Sequence, residues 1–333
     1  MRRALLLVIS GLVGWIIVAA ALGPSSRAQV QTSDLGHEIA GALIPAFPTG
    51  RPFFVAVIGS DARPGVCEPV EACLADSLHI IGVNPRKRAA GIVGIPRDSY
   101  VDIPGHGTQK INNSLSLGGP ELVVDTLEQL AGVQIDYSFL TSFEGFRHMI
   151  QDVGGIDVEI PYAMNDSASG AVFDAGSHRL DGRQALAFSR NRKNVPNGDF
   201  SRTENQGLVI MSALAQLRQE ARRDPTRLFT WLIAGAKYIQ TELTLPDLFD
   251  LALPALAIDP KRVVNLALPG GIGTAGEASI VTLGGEADAV FSDLADDGML
   301  EPVVVEEAEE ELPPEEEIQE LEESPTPAAA PTG

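Results

Sequence analysis

At 333 residues, 44% of them apolar, the chain is long enough to bury one large core, and aromatics at 5% predict that this core is aliphatic. A formal net charge of −21 leaves no electrostatic footprint for nucleic acid, so DNA and RNA are not expected as partners. The acidity is uneven: twelve Glu and no Lys or Arg lie between Glu301 and Glu323, which leaves −9 for the remainder.

Arg2 and Arg3 precede an uncharged apolar run from Ala4 to Leu22. Nineteen residues at a helical rise of ~1.5 Å approach the hydrocarbon thickness of a bilayer. Residues 1–22 therefore read as a transmembrane anchor, with the N-terminus in the cytoplasm and the body of the chain on the extracytoplasmic face. A cleaved signal peptide competes with that reading, because Ala19-Ala20-Ala21 and Ser26-Arg27-Ala28 resemble small-residue cleavage sites. Residues 23–50, rich in Ser, Gln, Pro and Gly, read as a spacer.

Order is expected from about Arg51. Phe53–Ile58, Ser77–Val83 and Ala89–Ile95 are short apolar runs punctuated by Gly, Asp and Pro, the pattern of strands buried in a central sheet. Between the first two lie Cys67 and Cys73. On an exported domain this pair is expected to close a disulfide; zinc is the weaker reading, for no further Cys or His pair is near. Helical spacing follows over Glu121–Leu130 and Ser142–Val153, then a strand at Ile156–Ile160 and a strand candidate at Ala185–Arg192. Asp199–Arg223 gives the strongest helix, with Leu208, Val209, Leu214 and Leu217 on one face. Two more helical stretches (Thr230–Gln240, Pro246–Ala257) precede a last strand, Val263–Leu268. Beyond it, residues 269–333 turn Gly-rich and then Glu/Pro-rich and are expected to be a disordered acidic tail. The sum is one α/β domain over residues 51–268, an α-β-α arrangement with a central mixed sheet flanked by helices.

Each strand candidate of the first half adjoins a charged residue. Asp61 follows the first and Asp76 immediately precedes the second; loops at one sheet edge would bring them together as oxygen ligands of a hard cation such as Mg²⁺, or Mn²⁺ in its place. Two capping or turn aspartates are the plainer alternative. Arg97 and Asp98 follow the third strand. In Leu186–Arg192, strand alternation places Leu186, Phe188, Arg190 and Arg192 on one face, and an apolar stripe ending in two arginines demands anions. Asp199, Arg202 and Gln206 share a helical face just beyond. Converging guanidinium forks suit a pyrophosphate, whereas a surface ion-pair network is the competing explanation. Lys110 could reach a phosphate or sugar, or lie exposed. No Gly-x-Ser-x-Gly, Walker or dinucleotide motif is present, which weakens hydrolase, kinase and dehydrogenase readings together.

These residues, in unbroken order, resemble the LytR-CpsA-Psr family of cell-wall proteins. The match runs through Gly59-Ser60-Asp61-Ala62-Arg63, Asp76-Ser77, Ile95-Pro96-Arg97-Asp98-Ser99, Lys110-Ile111-Asn112, Gly154-Gly155-Ile156-Asp157-Val158, Gly182–Arg192 and Asp199…Arg202…Gln206. The resemblance implies a hydrophobic pocket for a polyprenyl chain, with pyrophosphate and Mg²⁺ at its mouth. Asp61 and Asp76 would hold the metal. Arg97, Arg190, Arg192 and Arg202 would grip phosphate oxygens, assisted by Gln206, Lys110 and Arg63. Asp199 would orient Arg202 or deprotonate an acceptor hydroxyl. The implied activity is a phosphotransferase that moves a glycopolymer from a polyprenyl-pyrophosphate carrier to peptidoglycan, alongside two alternatives: a polyprenyl-pyrophosphate hydrolase and a non-catalytic, membrane-anchored lipid-binding or regulatory module. Two positions depart from the pattern. Ala75 and Asn205 stand where many members carry Arg, which weakens the anion grip unless Arg63 compensates.

Overall fold

A computed structural model describes residues 50–301. The expected anchor (1–22), the expected spacer up to residue 49 and the acidic stretch beyond Glu301 lie outside the described residues. Among the described residues no helix is long and apolar enough to cross a membrane.

Strand β1 (Phe53–Ser60) pairs antiparallel with β2 (Ala75–Asn84), and β2 with β3 (Ala89–Gly94). A hairpin, β4 (Tyr100–Ile103) and β5 (Gly107–Lys110), leads into helix α1 (Asn113–Ala131). Strand β6 (Tyr137–Ser142) returns parallel to β1, and helix α2 (Phe143–Asp152) follows it directly. Strand β7 (Ile156–Ile160), the small hairpin β8 (Met164–Asp166) and β9 (Ala171–Phe173), and β10 (Gly176–Leu180) form an outlying layer in which β7 and β10 pair. Then come helices α3 (Gly182–Arg190), α4 (Asp199–Arg223), α5 (Arg227–Tyr238) and α6 (Leu245–Ala257). Strand β11 (Val263–Ala267) lies parallel to β3, and the chain closes with a hairpin, β12 (Gly271–Ala275) and β13 (Ala278–Thr282), and helix α7 (Gly285–Asp297).

The main sheet is therefore mixed, in the order β11-β3-β2-β1-β6. Alternation along its strands divides the core. Ala56, Ile58, Leu78, Ile80 and Val93 pack with α1 and α7, whereas Val55, Val83 and Ile92 pack with Ile210, Met211 and Leu214 of α4 and Leu251 of α6. Each fully buried Ile or Leu contributes roughly 1.5–3 kcal/mol, which holds three layers together without many aromatics. A further apolar cluster joins β7, β10 and α3 to α4 through Ile156, Val158, Leu180, Phe188 and Val209. At Gly207 a methyl group would fall on the Asn265 side chain, so this glycine is what lets α4 lie close against β11.

The α/β class with a mixed central sheet agrees with the sequence, and three details correct it. Ala185–Arg192 is not a strand. Residues Gly182–Arg190 form α3, because Asp181 accepts from the Arg183 and Gln184 N–H groups while Gln184 reaches back to the Asp181 N–H, a capping box that starts a helix. The domain does not end at Leu268. Residues 271–297 fold into β12, β13 and α7, whose Ala287, Phe291 and Leu294 complete one face of the core. Strand β6 is an addition; its Tyr-Ser-Phe-Leu-Thr-Ser sequence lacks a clean apolar run, and only its pairing with β1 makes it a strand.

Candidate active site

The β1–β2 pairing sets Ser60 opposite Ala75, so Asp61 and Asp76 emerge side by side at one sheet edge. Asp61 is fixed by its own loop: its N–H donates to the Leu74 carbonyl at 2.9 Å, and its Oδ1 accepts from the Leu74 N–H at 2.9 Å. The Asp76 Oδ1 accepts from Arg97 Nη1 at 2.6 Å. Burial works against the Arg97 charge, but the Asp76 carboxylate, with Asp199 and Asp98 behind it, more than offsets this and raises its pKa. The Arg97 Nε is buried without a hydrogen-bond partner. Lys110 is drawn aside onto Asp98, with Nζ 2.8 Å from Oδ1, so its ammonium group is engaged rather than free to meet a ligand.

Arg190, at the end of α3, holds its guanidinium 4.6 Å from the centre of the Phe143 ring, and Arg63 stands 5.9 Å from the same ring. Burial lowers the Arg190 pKa, and Arg63 and Arg97 add to this against a partial offset by Asp76 and Asp61. Arg202 is only 4% exposed; its Nη2 donates to Asp199 at 3.0 Å, while its Nε lacks a partner. Burial lowers its pKa too, Asp199 opposes this, and Arg97 and the exposed Arg192 push the same way as burial. Gln206 acts as a brace, its amide donating to the Ser189 carbonyl at 3.1 Å and the Asp76 carbonyl at 3.4 Å. The structure thus brings Asp61, Asp76, Asp199, Arg63, Arg97, Arg190, Arg192 and Arg202 into one electrostatic cluster. Its guanidinium groups outnumber its carboxylates and repel one another, a state that a bound anion relieves.

Behind the cluster, on the α4 face of the sheet, lies a cavity of about 230 Å3. Val57, Phe139, Phe146, Met149, Ile210 and Ala213 are among its walls, and Ser77, Ser189, Arg190 and Gln206 form its polar end. Sequence reasoning missed these apolar residues. Phe143, Phe146 and Ile150 recur at helical spacing along α2 and were legible only as a core stripe; that they enclose a void is a tertiary fact.

Among the described residues no group of three or more His, Cys, Asp or Glu gathers to hold an ion. Asp61 and Asp76 each spend Oδ1 on a hydrogen bond and have no partner at Oδ2 among the described residues. Two carboxylates with a free oxygen each fit Mg²⁺ in its usual mode, where substrate phosphates and waters complete the shell. The disulfide forms as expected between Cys67 and Cys73, on the loop that carries Asp61 toward Asp76.

The LytR_cpsA_psr family model matches residues 26–294. The chain belongs to this family. A curated relative, the polyisoprenyl-teichoic acid–peptidoglycan teichoic acid transferase TagU of Bacillus licheniformis, is 35% identical over 201 residues, which cover 60% of this chain and 63% of the relative. The TagU of Bacillus subtilis is 39% identical over 164 residues, 49% of this chain and 51% of its own length. The chain thus spans less than two thirds of these relatives. Among solved structures, B. subtilis TagV superposes with a TM-score of 0.64 at 24% identity, over 74% of this chain and 96% of that one. B. subtilis TagU gives 0.58 at 27% identity, over 76% and 99%. A structure of TagT bound to LI-WTA gives 0.61 at 24% identity, over 74% and 91%.

The two departures from the family pattern occupy buried positions. Ala75 is fully buried under the sheet edge, and Asn205 turns inward to accept from the Tyr162 hydroxyl at 3.2 Å. Arg63 stands in the cluster beside Arg190, over the same aromatic ring.

Proposed function

We propose that this protein is a membrane-tethered phosphotransferase of the extracytoplasmic face that moves a glycopolymer from a polyprenyl-pyrophosphate carrier to peptidoglycan. One observation carries the reading: an apolar cavity ends at a cluster of incompletely neutralised guanidinium groups, the shape and charge of a lipid pyrophosphate. The names of the TagU relatives, the disulfide and the run Ala4–Leu22 support the same reading.

In this mechanism the prenyl chain enters the cavity, and Arg97, Arg190 and Arg202, with Arg63 and Arg192 at the rim, hold the two phosphates. A Mg²⁺ or Mn²⁺ held by Asp61 and Asp76 would neutralise charge on the non-bridging oxygens. An acceptor hydroxyl forms a new P–O bond at the phosphate that bears the glycan. The P–O bond to the other phosphate breaks, and polyprenyl phosphate leaves with the electron pair. Asp199, whose carboxylate lies 3.0 Å from Arg202 Nη2 and orients it, receives the hydroxyl proton. Positioning and charge stabilisation suffice, so no covalent enzyme intermediate is needed.

The test supplies the full chain in detergent with Mg²⁺, a lipid-pyrophosphate-linked glycan and peptidoglycan oligomers. Glycan joined to peptidoglycan with release of polyprenyl phosphate is expected. Release of free glycan phosphate would instead make it a hydrolase, and lipid binding with no turnover would make it a binding module.

A further inference from the structure

Residues 269–286, beyond the last strand of the main sheet, help to build a second concavity beside the arginine cluster. Hairpin β12–β13 is tied to the loop after β3: the Val281 N–H donates to the Asp98 carbonyl at 2.8 Å, and Ser99 and Val281 form a parallel bridge. Between this hairpin and the start of α4 runs a groove of about 720 Å3. It shares no lining residue with the apolar cavity. One helix serves both: Asp199, Phe200 and Glu204 of α4 face the groove, and Gln206, Val209 and Ile210 face the cavity. The buried Arg202 lies between the two sets. The groove therefore borders the anion site through Asp199 and Asp98, which stand beside Arg202 and Arg97.

Its chemistry is opposite to that of the arginine cluster. Asp98, Asp199, Glu204 and Glu286 line it and no Lys or Arg does; Asp98 is paired with Lys110 and Asp199 with Arg202, whereas Glu204 and Glu286 have no ion pair among the described residues. Glu204 is half-buried, and burial alone raises its pKa; its carboxylate meets no donor and no cation among the described residues. A partly desolvated carboxylate without a partner is stabilised by a ligand that brings hydroxyl or amide N–H donors. At the lip, Ile272 is 82% exposed, an apolar platform against which the carbon face of a sugar ring packs. The unpartnered Glu204 carboxylate beside an apolar platform, in a groove with no Lys or Arg among its lining residues, suits an extended polyhydroxylated chain.

We infer that this groove is the acceptor subsite, which binds a glycan strand of the peptidoglycan type and delivers its hydroxyl to Asp199, with Glu204 and Ile272 as its recognition residues. The inference rests on the transferase reading, and the experiment separates the two. The full chain in detergent is titrated with uncross-linked peptidoglycan glycan oligomers, and separately with polyprenyl pyrophosphate, for the wild type, Glu204→Gln and Ile272→Asp. Each substitution is expected to weaken oligomer binding about tenfold and leave lipid binding unchanged; in turnover the acceptor KM rises and the donor KM does not. Ile272→Asp, on an exposed side chain, guards against a folding defect at Glu204. Wild-type protein that binds the lipid and transfers glycan, with oligomer affinity unaltered by either substitution, overturns the acceptor groove and leaves the transferase intact. Oligomer binding lost in both variants, without turnover by the wild type, keeps the groove and overturns the transferase.

Discussion

Substituting His79 by Gln should remove an acid-sensitive element from the fold. His79 sits in β2 with no exposure, and its ring fills space that a side chain at Gly94 would occupy. Burial lowers its pKa from the ordinary 6.5 to about 4. The neutral ring has one tautomer that satisfies its neighbours. Nε2–H donates to the Thr203 carbonyl at 3.3 Å, which leaves Nδ1 to accept from the Ser77 hydroxyl at 3.3 Å. Because the folded pKa lies below the unfolded one, the unfolded chain binds the proton first as pH falls. The neutral ring's contribution is complete above pH 6.5, is lost progressively between 6.5 and about 4, and changes no further below that. At 1.36 kcal/mol per pKa unit the loss amounts to about 3 kcal/mol. Gln keeps an amide donor for Thr203 and does not titrate. Urea unfolding of the full chain in detergent, for wild type and His79→Gln, isolates this residue, since carboxylates common to both cancel. Between about pH 7.5 and about pH 4 the difference in unfolding free energy should drift by about 3 kcal/mol in favour of the variant. A difference that stays constant across that range would refute the buried, neutral assignment.

Asp76→Asn removes the charge that faces Arg97 and one carboxylate of the proposed cation site; transfer should fall by ~100-fold, while lipid affinity changes far less, measured by turnover against lipid titration. Ala213→Trp pushes a large ring into the apolar cavity and should raise the donor KM at least tenfold with the acceptor KM unchanged, unless the prenyl chain lies elsewhere. Replacing Cys67 and Cys73 together by Ser reopens a short loop and should reduce unfolding free energy by about 2 kcal/mol in denaturant titration.

Much of the site was legible because its residues are charged and stand at the ends of apolar runs. Asp61, Asp76, Arg97, Arg190 and Arg202 announce themselves as charges that a sheet edge must gather. The route by which two of them arrive was not legible. Leu186, Phe188, Arg190 and Arg192 alternate as in a strand, yet the capping box at Asp181 and Gln184 makes Leu186–Arg190 helical, so Arg190 is the last residue of a helix and Arg192 lies in the loop beyond it. Local capping chemistry outweighed a short alternating pattern. Lys110 read as a free cation because nothing in its neighbourhood reveals that β4 and β5 fold it back onto Asp98. The C-terminal hairpin was concealed by composition. Gly270-Gly271 and Gly284-Gly285 resemble a linker, but they bracket Ser279-Ile280-Val281-Thr282, whose β-branched residues pair as a strand once Asp98 offers a carbonyl.

The central claim is that one lipid pyrophosphate spans the apolar cavity and the arginine cluster. A crystal structure of the full chain with polyprenyl pyrophosphate tests it most directly. The prenyl chain is expected between β6, α2 and α4, with both phosphates against Arg97, Arg190 and Arg202. A lipid bound on any other surface, with the cavity between Phe139 and Ile210 collapsed, would contradict it.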